Sequence, residues 1–298
     1  MVSQPFSFVM TAERLHTLHQ RNFESNRFVY PVLSRRSQGM SIGVNLNPDK
    51  ICNFDCIYCQ VDRTTQSETR FVELDQLLTE LDEMLGLISS GKIYETEQFK
   101  SVPAELRRLN DIAFSGDGEP TTYKNFDEIL QLCAELKSKH ELNETKMVLI
   151  TNASMFHRDV VIRGLEILDN NQGEIWAKLE AGTEDYFKIV DRTPIPFQRI
   201  LDNITAASKV RPLVIQSLFM RINNEPPSPE ELKQYCQRLN EIQTAGGQIK
   251  LVQIYTIARR PTESYVHMLE DHEVDGIVEL VRSSTNLETV AYYGSSAY

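Results

Sequence analysis

This 298-residue chain has no long apolar runs and no surplus of basic charge: 42 Asp and Glu stand against 31 Lys and Arg, a formal net charge of −11. No stretch approaches the roughly 20 apolar residues that a membrane-spanning helix requires. The start, Met1-Val2-Ser3-Gln4-Pro5, lacks the basic-then-apolar pattern of a secretory leader. A cytoplasmic protein with no membrane contact is expected. Cysteine is scarce and odd in number, five residues, which in a reducing compartment excludes a disulfide framework. Glycine/serine linkers and internal repeats are also missing. The shortage of basic charge excludes a general nucleic-acid coat and leaves room only for a local basic groove. What is present, 41% hydrophobic and 24% charged residues, is the composition of an ordinary folded chain with one large domain.

Short apolar runs alternate with amphipathic stretches. Strands are expected at 41–44, 111–114, 147–151, 174–179, 213–220, 249–256 and 288–292. Helices are expected at 74–88, 126–139, 160–168, 197–208, 229–244 and 275–282. The fifth opens with Ser228 as a cap, Pro229 at the first helical position and Glu230-Glu231 at the positive end; Gly246-Gly247 stop it. Such alternation makes parallel strands with right-handed crossovers, as a doubly wound sheet or a closed or partial barrel. Two regions break the rhythm: residues 1–40, with a helix near 11–20 and an aromatic-rich segment through Tyr30, and a polar insertion at 91–110.

The sharpest motif is Cys52-Asn53-Phe54-Asp55-Cys56-Ile57-Tyr58-Cys59, three of the five cysteines with three and then two residues between them. Thiolates this close can converge on one soft metal centre, either zinc or iron–sulfur. A closed zinc site needs four ligands, usually in two pairs, and no second Cys-x2-Cys exists. Three thiolates without a fourth suit a four-iron cluster with one iron open to a ligand. A second motif, Phe114-Ser115-Gly116-Asp117-Gly118-Glu119-Pro120-Thr121, ends an expected strand; its glycines let backbone approach a ligand closely.

Together these motifs resemble the radical S-adenosylmethionine (radical SAM) superfamily over about residues 40–258. The resemblance implies an α/β fold, a partial (β/α)6 TIM-like barrel with an amino-terminal extension (1–40), a core barrel (41–258) and a carboxy-terminal extension (259–298). It implies a [4Fe–4S] cluster on Cys52, Cys56 and Cys59, with S-adenosylmethionine on the open iron. Gly116, Asp117, Gly118, Glu119 and Pro120 correspond to the family's glycine–glutamate motif, with Glu119 holding the methionyl ammonium. Tyr58 corresponds to the aromatic beside the adenine and Asn152 to a polar residue facing the cofactor. Lys178 and Glu180 are candidates for ribose, carboxylate or substrate contacts, and Gln216 for a residue pointing into the barrel. The implied activity is reductive cleavage to a 5′-deoxyadenosyl radical that takes hydrogen from a substrate, with a flavodoxin- or ferredoxin-type electron donor.

Ser34-Arg35-Arg36, Val44-Asn45-Leu46-Asn47-Pro48, Cys59-Gln60-Val61-Asp62-Arg63 and the run 252–261 resemble the tRNA wyosine-base-forming enzymes and their uncharacterised bacterial relatives. That group carries a second cluster on three amino-terminal cysteines, whereas residues 1–51 here contain none. With the acidic balance, this favours a small metabolite or peptide substrate over tRNA; RNA-base modification is the alternative. A non-catalytic zinc or electron-transfer protein is a third reading, which gives the glycine–glutamate motif no role. Cys133 and Cys236 read as small hydrophobes in helices, His267 and His272 as solvated, and the pairs Arg35-Arg36, Arg107-Arg108 and Arg259-Arg260 as surface features, with Arg259 also a candidate for an anion at a strand end. The tail 292–298 reads as a strand end running into a flexible terminus, with a cover over the barrel mouth that touches substrate as the alternative.

Overall fold

The alternating apolar runs resolve, in a computed structural model of the protein, into an α/β fold built on one mainly parallel sheet; the structure describes residues 23–34 and 36–294. The helix expected near 11–20, Arg35 and the tail residues 295–298 lie outside the described residues. The strands are β1 (Val29–Ser34), β2 (Gly39–Val44), β3 (Leu109–Phe114), β4 (Lys146–Thr151), β5 (Gly173–Lys178), β6 (Leu213–Leu218), β7 (Arg221–Ile222), β8 (Ile249–Tyr255), β9 (Val266–His267) and β10 (Thr289–Tyr292). The main sheet runs β1-β2-β3-β4-β5-β6-β8-β10. β1 is antiparallel to β2 and every other pairing is parallel. Six strands, β2 to β6 with β8, make the (β/α)6 unit; β10 lengthens it, with Tyr292 opposite Tyr255. β7 and β9 form a separate antiparallel pair.

The helices are α1 (Leu74–Ser89), α2 (Phe126–Lys139), α3 (Asp159–Asp169), α4 (Glu184–Asp191), α5 (Phe197–Val210), α6 (Pro229–Thr244) and α7 (Asp271–Thr285). Their apolar stripes follow the helical period: in α2, Phe126, Ile129, Leu130, Cys133 and Ala134 are buried, with acids in the first turn and lysines in the last. The Ser228 hydroxyl caps α6 by accepting from Glu231 N at 3.1 Å. Alternation along the strands sorts the sheet's two faces. Met147 and Leu149 of β4 join the main core, whereas Val148 packs on the other face with Ala113, Trp176 and Val214.

Three features depart from the sequence expectation. β1 emerges from the aromatic-rich segment despite Pro31, which an edge strand tolerates. Buried Glu80 of α1 receives the backbone N–H groups of Arg27, Phe28 and Val29 at 2.8–3.1 Å, tying that strand to the core. Helix α4 has only eight residues, too short for a period to stand out. The polar insertion makes two 3-10 turns, Lys92–Glu95 and Ala104–Leu106, and buries Ile93, Phe99 and Val102.

Candidate functional site

All parallel strands end on the same side, so the segments after Val44, Phe114, Thr151, Lys178, Leu218 and Tyr255 converge there, as parallel barrels require. The cysteine loop follows β2. Its apolar side chains hold it down: Phe54, Ile57 and Tyr58 are buried, each contributing roughly 1.5–3 kcal/mol. Phe54 meets Phe187 of α4 edge-on at 5.9 Å. The last carbonyls of α4, which have no partner within the helix, accept from the loop: Ile57 N to Val190 O at 2.9 Å and Asp55 N to Asp191 O at 3.2 Å. This leaves Cys52, Cys56 and Cys59 half-buried on the wall of one cavity of about 220 Å³.

The glycine–glutamate motif forms the facing wall, packed directly on the loop. A Cβ on Gly116 would lie 2.3 Å from Asn45 Oδ1, and one on Gly118 would lie 2.2 Å from the Ile51 carbonyl oxygen. Only glycine allows that approach. Asn45 stitches the walls together: its Oδ1 accepts from Asn47 N (3.0 Å) and Asp117 N (3.2 Å), and its Nδ2 donates to Asp117 Oδ2 (2.6 Å). Glu119 is buried, which raises its pKa, although four hydrogen bonds oppose the shift. Thr121 N, the Thr121 hydroxyl and the Thr151 hydroxyl donate to Oε1, and Asn152 N donates to Oε2 at 2.7 Å. Oε2 therefore keeps one lone pair for a further donor. The Asn152 side chain donates to Asn53 Oδ1 at 2.9 Å, and Asn53 donates to the Ser154 hydroxyl at 2.8 Å.

The third wall carries buried charge. Lys178 Nζ lies 4.9 Å from the Tyr58 ring centroid and donates to its hydroxyl at 3.0 Å; that hydroxyl donates to Glu180. Burial works against the Lys178 charge, but Glu180, at 3.9 Å, and the neighbouring acidic groups outweigh it and raise its pKa. Glu180 and Asp191 are both raised, first by burial, Asp191 next by the Glu180 charge beside it. The Cys56 thiol, 3.3 Å from Asp191 Oδ1, is pushed up by burial and by that carboxyl. Cys56, Glu180 and Asp191 bring ligand atoms within 4.8 Å of one another. On the outer side, Arg63 donates to Cys59 Sγ at 3.1 Å and to Lys50 O at 3.0 Å. Three soft sulfurs from one short loop, facing an open cavity with no histidine in its wall and a guanidinium against one sulfur, fit an iron–sulfur cluster better than closed zinc.

The cavity brings together the three cysteines, Tyr58, Gly116, Asp117, Gly118, Glu119, Asn152, Lys178 and Gln216. Pro120 starts a buried 3-10 turn (Pro120–Thr122) behind the wall, and Glu180 sits behind Tyr58 in a smaller void. Cys133 and Cys236 are buried away from the site; burial pushes the Cys133 thiol up to about 12. His267 and His272 are exposed. Arg36, read as a surface feature, lines the cavity instead, because the β1–β2 turn brings it there; Arg259, also a candidate for an anion at a strand end, lines it after β8. Arg63, Asp191 and Tyr255 were not expected at the site. Arg63, four residues after Cys59, was within reach of the motif; Asp191 had no sequence signal.

A family model described as the Radical SAM superfamily matches residues 46–227. GTPase Obg of Brachyspira hyodysenteriae is 24% identical over 270 residues, 89% of this chain and 35% of that protein. UPF0026 protein MJ1312 of Methanocaldococcus jannaschii is 29% identical over 134 residues, 44% of this chain and 34% of it. This chain matches about a third of the length of each of these relatives. Among solved structures, a radical SAM methyltransferase from Sphaerobacter thermophilus aligns with a TM-score of 0.58 and 11% identity, covering 89% of this chain and 69% of that one. TYW1 with a lysine-pyruvate adduct bound aligns with a TM-score of 0.53 and 14% identity, covering 93% and 83%. Both share the fold.

Proposed function

The chain belongs to the radical SAM superfamily of enzymes, whose members use a [4Fe–4S] cluster and S-adenosylmethionine, and from that premise we propose that it cleaves S-adenosylmethionine reductively and takes hydrogen from a small metabolite or a peptide. One observation carries the reading: the cysteine loop and the glycine–glutamate strand end face each other across one cavity, packed closely enough that Gly118 admits no side chain.

In this reading Cys52, Cys56 and Cys59 hold the cluster, and Arg63 offsets the negative charge of the thiolates. The backbone of Gly116 to Gly118 receives the methionyl part, and the remaining lone pair of Glu119 Oε2 accepts from its ammonium. Tyr58, braced by Lys178 and Glu180, gives the adenine a rigid neighbour. Asn152 links the Glu119 carboxylate to the cysteine loop, so both walls keep one spacing. Lys178 and Gln216 point toward the remaining space, where they orient the ribose or the substrate. Held by Cys52, Cys56 and Cys59, a reduced cluster would supply the one electron needed to cleave the carbon–sulfur bond of S-adenosylmethionine to methionine and a 5′-deoxyadenosyl radical. Enzymes of this family need a reductant; a flavodoxin- or ferredoxin-type protein is the donor in this reading. No helix among the described residues is long and apolar enough to cross a membrane.

Anaerobically reconstituted protein is expected to hold about four irons and, with dithionite and S-adenosylmethionine, to release 5′-deoxyadenosine. Stoichiometric zinc with no visible absorption would overturn the reading. The fold likeness to TYW1 favours RNA-base modification as the second reading. The charge of −11 opposes it. Binding of total tRNA at micromolar concentration or below, weakening steeply with salt, would reverse that preference.

A further inference from the structure

Arg36, in the turn between β1 and β2, reaches the inner face of the sheet and lines both the cavity and a second one beneath it. Its guanidinium lies 4.9 Å from the Tyr255 ring centroid and 5.6 Å from that of Trp176. Among the described residues no carboxylate pairs with it, and its Nη1 is buried without an acceptor. Other partly buried arginines are matched: Arg192 with Asp55 and Glu263, Arg221 with Glu273. Two acids lining the second cavity, Glu174 and Asp111, are already engaged. Glu174 takes Lys146 and Lys250, each at 2.9 Å, and the Trp176 indole N–H at 2.8 Å; Asp111 takes the Ser41 hydroxyl. A guanidinium set against aromatic rings, with a buried Nη1 and no anion among the described residues, is a costly arrangement unless a ligand supplies one.

We propose that Arg36 is the anchor of a carboxylate subsite, so that the substrate of the radical reaction carries a carboxylate; this rests on the function proposed above. The fork of Arg36 suits a planar, singly charged group. A dianionic phosphate would face one uncommitted cation in an aromatic-walled site, with the second charge uncompensated. Lys178 does not make up that difference, being paired with Glu180. The neighbouring amides complete the site. Gln216 Nε2 donates to Gln253 Oε1 at 3.1 Å, both side chains are buried, and the pair keeps Gln216 Oε1 and Gln253 Nε2 for a polar substituent near the carboxylate.

Trp176 is the chain's single tryptophan, so its emission reads occupancy at Arg36 directly. Cluster-loaded, S-adenosylmethionine-bound protein is titrated anaerobically with propionate, its neutral counterpart propionamide, and inorganic phosphate. Propionate is expected to change the emission saturably, with no saturable change from propionamide or phosphate. Arg36→Gln is expected to weaken propionate binding about tenfold or more, with S-adenosylmethionine affinity by equilibrium dialysis held within about twofold. Equal responses to propionate and propionamide, or an unchanged Arg36→Gln titration, would overturn the subsite. A stronger response to phosphate would overturn the carboxylate class, and a tenfold loss of S-adenosylmethionine affinity in Arg36→Gln would reassign Arg36 to the cofactor. If Arg36→Gln does not fold, the contrast between propionate and propionamide on the unmodified protein decides alone. The signal reads binding and not turnover, so failure to form 5′-deoxyadenosine would sink the radical reading without erasing a propionate response.

Discussion

Lys178 and Tyr58 form one unit: the ammonium lies over the ring, 4.9 Å from its centroid, and donates to its hydroxyl at 3.0 Å. Because that hydroxyl also donates to buried Glu180, the aromatic beside the cysteines is held at its face and at its tip. Tyr58→Phe keeps the ring but removes the bridge, leaving a buried acceptor and a cation each short of a partner. Thermal unfolding is expected to show a loss of about 1–3 kcal/mol. Lys178→Met, which removes the buried cation paired with Glu180, is expected to cost more, about 3–5 kcal/mol. The reverse order would mean that the hydroxyl, and not the ion pair, anchors this wall.

Cysteine substitutions separate ligands from core. Replacing Cys52, Cys56 and Cys59 together by alanine is expected to abolish iron binding, read by metal analysis and visible absorption. Cys133→Ala and Cys236→Ala, both in buried helix faces, are expected to keep the iron and to lose about 1 kcal/mol of stability. Iron loss in either single variant would show that the ligand set is wrong.

Gly118→Ala probes the closeness of the two walls. Its new methyl would meet the Ile51 carbonyl at 2.2 Å, so backbone must move. A displacement on that scale is expected to lower 5′-deoxyadenosine formation on the order of 100-fold, with iron content retained. Activity near that of the unmodified protein would show that the wall has slack.

Below the site, acid should reveal Glu174. Although burial works against its charge, hydrogen bonds from Lys250, Trp176 and Lys146 outweigh it and hold its pKa at about 2, below the ordinary 4.5. Its stabilisation is therefore complete above about pH 4.5 and is lost as the pH falls toward 2. The full effect is on the order of 3 kcal/mol. Glu174→Gln is expected to lower the midpoint of thermal unfolding at pH 7 and to flatten its fall between neutral and acid pH. An unaltered pH profile would remove Glu174 from the account.

The strand–helix rhythm and the two motifs were legible because each is a local pattern: period two, period 3.6, or fixed spacing. Helix α4 was not, since eight residues give barely two turns and its task is to offer carbonyls to the cysteine loop. The hidden position of Glu180 was equally out of reach, because it depends on where Tyr58 folds down, 122 residues away in sequence. Arg36 shows the limit most clearly. As half of an Arg-Arg pair it reads as a solvated surface; only the sheet brings the Trp176 and Tyr255 rings up to it.

The asparagine bridge between the cysteine loop and the end of β4 has a thermodynamic consequence. Asn53 and Asn152 bond to each other, each bonds to the Ser154 hydroxyl, and the Asn152 backbone bonds to Glu119. Changes on the two sides should therefore be non-additive. In a double-mutant cycle, Asn53→Ala and Asn152→Ala are expected to couple by about 0.5–3 kcal/mol, the first change already carrying much of the second. The two segments thus open and close as one cooperative unit, and local unfolding of either exposes both.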